Sequence, residues 1–161
     1  MKLFKAALLA ASMIVPAAPL AHAATPGNAL VVAQNIDDIV SIDPAEAYEF
    51  TSGEYVTQTY DRLVQYDAPD VKTLAPGLAT AWTADDAART ITFTLRDGVK
   101  FTSGNPLRAE DVVYSWKRVI ALNKAPAFIL AQLGWTPANY DKMVTASGNK
   151  IVVKYDGDFS S

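Results

Sequence analysis

From Thr90 to Arg96 polar and apolar residues alternate without a break, Thr-Ile-Thr-Phe-Thr-Leu-Arg. A period of two places Ile91, Phe93 and Leu95 on one face of a β-strand and the threonines on the other. Ahead of it, Ala79, Ala81 and Trp82 lie on a partner strand, and Ala84 to Arg89 supply the turn of a hairpin. Asp97-Gly98 closes the second strand, because Gly accepts positive φ and Asp bonds to nearby backbone. The period then changes. Ala109, Val112, Val113, Trp116, Val119 and Ile120 recur at the spacing of one helix face. Ile91, Phe93, Leu95 and Trp82 are expected to pack against Val112, Trp116 and Val119.

The same reading extends both ways. Ala29-Leu30-Val31-Val32-Ala33 is continuously apolar and reads as a strand covered on both faces. Asp43-Pro44 is a turn. Thr51 or Ser52 can cap a helix running to about Arg62, with Tyr55, Thr59 and Leu63 as its stripe. Leu63 to Tyr66 reads as a strand, and Ala68-Pro69-Asp70 as a boundary. Pro126 ends the long helix or opens a short one bearing Phe128, Ile129 and Leu133. Met143 to Ala146 and Lys150 to Tyr155 are two more strands about Ser147-Gly148-Asn149. Trp82 and Trp116 read as core; Trp135, in a Gly-Trp-Thr-Pro turn, reads as a rim or ligand residue.

The first residues stand apart from this pattern. Lys2 and Lys5 precede a short apolar run from Ala6 to Val15, and Ala21-His22-Ala23 is a small-residue cleavage site. This is the layout of a secretory leader, too short and too interrupted by Pro16 and Pro19 for a membrane anchor. Cleavage after Ala23 removes two lysines and no acid, taking the net charge from −3 to −5. A mildly acidic chain carries no footprint for nucleic acid. The chain has no cysteine, and its one histidine, His22, lies in the leader. Ser-His-Asp and Cys-His catalysis and nearly all zinc or copper sites are thereby excluded from the segment after it. No cofactor and no metal is expected. Without a cysteine there is no lipid anchor either, which points to a protein free in a periplasm.

The stretch from Leu74 to Arg118 carries a resemblance. Pro76-Gly77-Leu78-Ala79 with Trp82, then Thr92-Phe93 with Leu95-Arg96, Gly98-Val99-Lys100-Phe101, Gly104-Asn105-Pro106, Ala109 and Asp111-Val112-Val113-Tyr114-Ser115 stand in order. The series resembles the N-terminal part of the extracytoplasmic peptide- and nickel-binding receptors of ABC importers, the family 5 type. Two positions depart from that pattern. Ala87 and Ala88 stand where the family often has Gly, and Arg108 stands where a Thr or Asn cap is usual; Arg caps poorly. Glu110 and Asp111 still suit the positive end of the helix dipole.

The resemblance implies an α/β chain forming the N-terminal part of a two-lobed periplasmic-binding-protein fold of type II with an extra subdomain, its mixed β-sheets packed by helices. Residues 1–23 would be the leader, 24–66 the start of lobe I, and 67–161 an incomplete subdomain. It implies a receptor that captures a peptide or peptide-like solute for a membrane permease, monomeric at full length. A sensory receptor on the same fold, or a secreted hydrolase with its catalytic residues elsewhere, are the alternatives. Asp85 and Asp86 are adjacent in a turn and do not form a paired-carboxylate site.

Two groups are candidate ligand contacts. Asn35, Asp37 and Asp38 leave the C-terminal end of the first strand, where open α/β sheets bind ligands; they read equally as solvated loop residues, and their spacing lacks the pattern of a calcium loop. In the resembling family this segment passes along the cleft, and Asp38 falls near the position where its oligopeptide receptors carry an acidic residue close to the peptide. Thr51-Ser52-Gly53 opens a helix, where free N–H groups can hold a ligand carboxylate, or serves only as a cap. The matching Thr-Ser-Gly stretch of dipeptide-type receptors lines the cleft. Mass spectrometry of a periplasmic extract should find the protein beginning at Ala24; an intact N-terminus in the membrane fraction would refute the leader.

Overall fold

The computed structural model describes residues 25–67 and 69–156, so the expected leader lies outside the described residues. The chain divides into two units, one ending at Gln34 and the other beginning at Asn35. In the first, residues 25–34 contain a turn at Gly27-Asn28 and no strand. The strand expected over Ala29 to Ala33 is not formed, and Leu30 is 89% exposed. An all-apolar run becomes a strand only where neighbours take its N–H and C=O groups and cover both faces. No ladder among the described residues includes it.

The second unit opens with α1 (Phe50–Thr59) and a hairpin of β1 (Val64–Asp67) and β2 (Asp70–Pro76). The boundary expected between residues 66 and 67 falls inside β1. Next come β3 (Ala79–Asp85), β4 (Thr90–Leu95), α2 (Ala109–Leu122), α3 (Ala127–Ala131), α4 (Tyr140–Met143), β5 (Val144–Ser147) and β6 (Lys150–Lys154). β1 and β2 form one antiparallel sheet; the other is antiparallel in the order β3-β4-β6-β5. No described helix is long and apolar enough to cross a membrane.

The Pro-Gly-Leu-Ala motif joins the two sheets. The Leu63 carbonyl accepts from the N–H groups of Gly77 and Ala79 at 3.1 and 2.9 Å, and that of Arg62 accepts from Leu78 at 2.8 Å. A Cβ on Gly77 would stand 2.3 Å from the Arg62 oxygen, so only glycine lets these backbones meet. The β3–β4 turn lacks glycine and works otherwise. Asp85 accepts from the Ala88 N–H at 2.9 Å, and Arg89 takes the left-handed conformation at φ 50°, at a cost of about 1 kcal/mol. At α2 the poor cap is offset from inside the helix: Asp111 Oδ2 accepts from the Arg108 N–H at 2.8 Å.

The core lies on one face of the four-stranded sheet. Phe93 pairs with Ile151, Ile91 with Val153, Val144 with Val153, and Ala146 with Ile151, so all point the same way. Ile151 and Val153 are buried beneath α2 together with Leu95, Ala109, Val112, Ile120, Trp135, Tyr140 and Val144. The hairpin-to-helix packing expected from the sequence is met only in part. Leu95 and Val112 are central, Phe93 and Trp116 are partly buried at the margin, and Trp82, Ile91 and Val119 lie outside the buried cluster. The reason is placement: α2 makes its main sheet contacts with β5 and β6, and β3 is an edge strand. A groove of about 690 Å³, lined by Leu63, Leu78, Phe93, Phe101 and Trp116 among others, opens on that side.

Trp135, expected at a rim or a ligand, belongs to the core instead. Its ring is 2% exposed, its Nε1–H donates to the Lys154 carbonyl at 2.8 Å, and it meets Tyr140 edge to face at 5.5 Å. The Tyr140 hydroxyl donates to the Val113 carbonyl at 2.7 Å. Of the stripe expected on the short helix, Leu133 packs against the core from beyond the end of α3; Phe128 and Ile129 are exposed, and Phe128 instead receives Tyr48 edge to face at 5.4 Å.

Ile151→Ala, in a central strand at 0% exposure, should lower stability by about 2–5 kcal/mol. Thr92→Ala, on the opposite face, should change it by less than about 1 kcal/mol. Denaturant titration compares the two, and equal effects would refute the register. Burial and, secondarily, the charge of Asp141 raise the Tyr140 phenol pKa. The folded state thus keeps this proton after the unfolded state has lost its own. Stability should fall as pH rises above about 10, with a shallower slope in Tyr140→Phe.

Candidate functional site

The segment from Asn35 to Gly53 holds every residue singled out as a ligand contact. Asn35 Oδ1 accepts from the Asp37 N–H at 2.8 Å, an Asx turn that reverses the chain. The turn delivers Asp38, not Asp37, to α1. Asp38 Oδ2 accepts from the Thr51 N–H at 3.2 Å across 13 residues. The Thr51 hydroxyl, and then its N–H, hold the Asp38 carboxyl below the usual carboxylate range. Two of the sequence candidates, Asp38 and Thr51, are therefore brought into contact. Asn35 and Asp37 are exposed and serve the turn.

Helix α1 differs from its expected form. It begins at Phe50 after Glu49, so Thr51 and Ser52 sit inside its first turn and neither caps it. It ends at Thr59, and Tyr55 and Thr59 are exposed rather than a buried stripe. With Tyr60 extended, the chain turns away to start β1, which takes Leu63 out of the helix. Ser52 is the one buried position of α1. Its Oγ has no hydrogen-bond partner of acceptable geometry, although its nearness contributes to lowering the Glu49 pKa. Gly53 has open space: a Cβ there would meet nothing within 4 Å.

The charge at this helix end is negative. The Glu49 carboxyl is lowered by its own N–H and that of Tyr48, and it feels the Asp38 charge as an opposing effect. Two carboxylates thus stand at the positive end of α1, where the helix dipole favours them. The expectation of a free N-terminus open to a ligand carboxylate is corrected. Asp38 already takes the Thr51 N–H, and a second anion would be repelled. The arrangement suits a cation, such as an ammonium group.

Sequence reasoning missed Glu49, Asp43 and Arg118. Arg118 Nη1 donates to Asp43 Oδ1 at 2.8 Å, and Nη2 donates to Oδ2, across 75 residues. Asp43 Oδ1 also accepts from the Ala45 N–H at 2.9 Å. Arg118 sits beside the apolar stripe of α2, and nothing in its spacing names a partner so far upstream. A groove of about 670 Å³, lined by Ile42, Asp43, Val56, Tyr60, Arg118 and Val119 among others, lies alongside.

Comparison with known proteins agrees with this architecture. Residues 73–159 match the family of bacterial extracellular solute-binding proteins, family 5, middle region. The chain belongs to the family 5 solute-binding proteins, and its fold is part of their two-lobed α/β architecture. It is 38% identical over 112 residues to the probable D,D-dipeptide-binding periplasmic protein DdpA of Escherichia coli, covering 68% of this chain and 22% of that protein. The solved structure of the Escherichia coli murein tripeptide binding protein MppA superposes with a TM-score of 0.60 at 30% identity, covering 72% of this chain and 25% of that one. Haemophilus influenzae OppA, in complex with the peptide RPPGFSPFR, gives a TM-score of 0.60 at 25% identity, covering 71% and 24%. The chain thus spans about a quarter or less of the relatives it matches.

Arg118 chiefly, with the Ala45 N–H, depresses the Asp43 carboxyl below its ordinary value. A depressed folded pKa gives stability that is present above the unfolded value and lost as pH falls through the folded one. Stability should therefore decline below about pH 4, and Asp43→Asn should show a shallower acid slope in calorimetry. An unchanged slope would refute the ion pair.

Proposed function

We propose that this chain is part of the substrate-binding component of an ABC importer, which captures peptides or peptide-like solutes in the periplasm and hands them to a membrane permease. The role is binding without chemistry. Closure of two lobes around the solute shifts the population toward the form the permease accepts. Asn35, Asp37, Asp38, Thr51, Ser52 and Gly53 form part of one wall of the cleft.

The observation that carries this reading is the acidic helix end in a solute-binding family. Asp38 and Glu49 together offer a place for the ammonium group of a peptide or amino-bearing solute, and Asp37 adds to the negative field beside it. The names of the relatives support the solute class: one is called D,D-dipeptide-binding, one murein tripeptide binding, and one is seen with a nine-residue peptide. The open space over Gly53 leaves room for a ligand to lie against the first turn.

The test is thermal stabilisation of the full-length polypeptide by peptides, with N-acetylated peptides as controls. At about a hundredfold above Kd, a free peptide should add about 2.7 kcal/mol. Asp38→Asn should weaken binding of free peptides and leave acetylated ones unchanged. Gly53→Ala separates the two roles of that residue. It should stabilise the unliganded protein by about 0.5–1 kcal/mol, because Gly is costly inside a helix, and it should weaken peptide binding. Peptide affinities unchanged in both variants would remove this segment from the site.

A further inference from the structure

We propose that Arg118 is a positioning residue for the binding segment, acting through Asp43 on the Asp38–Thr51 contact; this deepens the reading above and rests on it. The chain from Ile39 to Glu49 has no strand or helix of its own. Such a segment keeps one shape only if it is tied down elsewhere. Its ties are few and specific. The two terminal guanidinium nitrogens of Arg118 each donate to one Asp43 oxygen, a planar fork that sets direction as well as distance. The two side chains are only 37% and 33% exposed, so the pair is less screened than a surface ion pair. Asp43 passes the constraint to the backbone through the Ala45 N–H, and Ala45 is itself buried.

The next turn follows from that anchor: Glu46 and Ala47 donate N–H groups to the Asp43 carbonyl at 2.9 and 2.8 Å. Tyr48 against Phe128 is a second tie, to α3. Between them these contacts hold the middle and the C-terminal end of the segment. Asp38 lies just before it and Thr51 just after, and their 3.2 Å contact closes the loop. A helix whose inner face builds the core thus also sets the geometry of the acidic turn. The other ion pair of α2, Lys117 with Asp141, points to α4 and has no part in this.

Asp43→Asn isolates the tie, since asparagine keeps an oxygen for the Ala45 N–H while losing the charge. Hydrogen exchange on the full-length protein should show faster exchange at Ala47 and Thr51, with the β4 amides unmoved. Peptide Kd should rise about tenfold in Asp43→Asn and in Arg118→Met. The double variant should be no weaker than Asp43→Asn alone, and Lys117→Met should change neither reading. Unaltered exchange at Thr51 overturns the proposal. So does unaltered affinity in Asp43→Asn while Asp38→Asn still weakens binding, which leaves the site itself standing. Unaltered affinity in both variants overturns the site along with it.

Discussion

Strand β6 enters the sheet between β4 and β5, and the second unit depends on that insertion. It pairs with both neighbours, so its N–H and C=O groups are taken on either side. It also puts Ile151 and Val153 at the centre of the apolar face. Burying each such side chain contributes about 1.5–3 kcal/mol. The insertion brings together residues from far along the chain: Leu95 from the first hairpin, Val112 and Ile120 from α2, Trp135 and Tyr140 from the connection. Without β6 the hairpin would be a two-stranded ribbon, which is marginal in water.

The polar contacts of this core follow from the same seat. Trp135 is large enough to fill the space under α2, but its N–H must find an acceptor when buried. The Lys154 carbonyl supplies it at the end of β6. Tyr140 reaches Val113 in α2 in the same way. Each aromatic thus contributes apolar area and a directional bond, and together they fix how α2 lies on the sheet. That orientation decides where Arg118 emerges. Arg118 in turn meets Asp43, 75 residues upstream.

The electrostatics of the candidate site have a similar logic. A helix end attracts anions, and the chain satisfies that attraction itself with Asp38 and Glu49. An exposed N-terminus favours a carboxylate; one already faced by two carboxylates favours a positive group. The same residues support opposite ligand preferences according to whether a loop 13 residues upstream folds back on them.

Elements with their own period were legible along the chain. The Thr90–Leu95 alternation, the α2 stripe and the turn at Gly148 depend on contacts between near neighbours, and the structure has them where the pattern places them. The glycine of Pro-Gly-Leu-Ala was visible as a motif, and its reason, the Arg62 carbonyl at its back, was not. The apolar run from Ala29 to Ala33 read as a strand, yet a strand exists only with a partner. Thr51 and Ser52 read as caps, yet the helix begins earlier, and the N–H of Thr51 is taken by Asp38. The candidate residues were chosen as two separate groups, and only the tertiary structure joined them. The sequence by itself determined the repeating elements and the family, because periodicity and close motifs are local. Which side chains face the core, the sign of the charge at α1 and the pairing of Arg118 with Asp43 were decided by contacts across 13 to 75 residues, which no local spacing encodes.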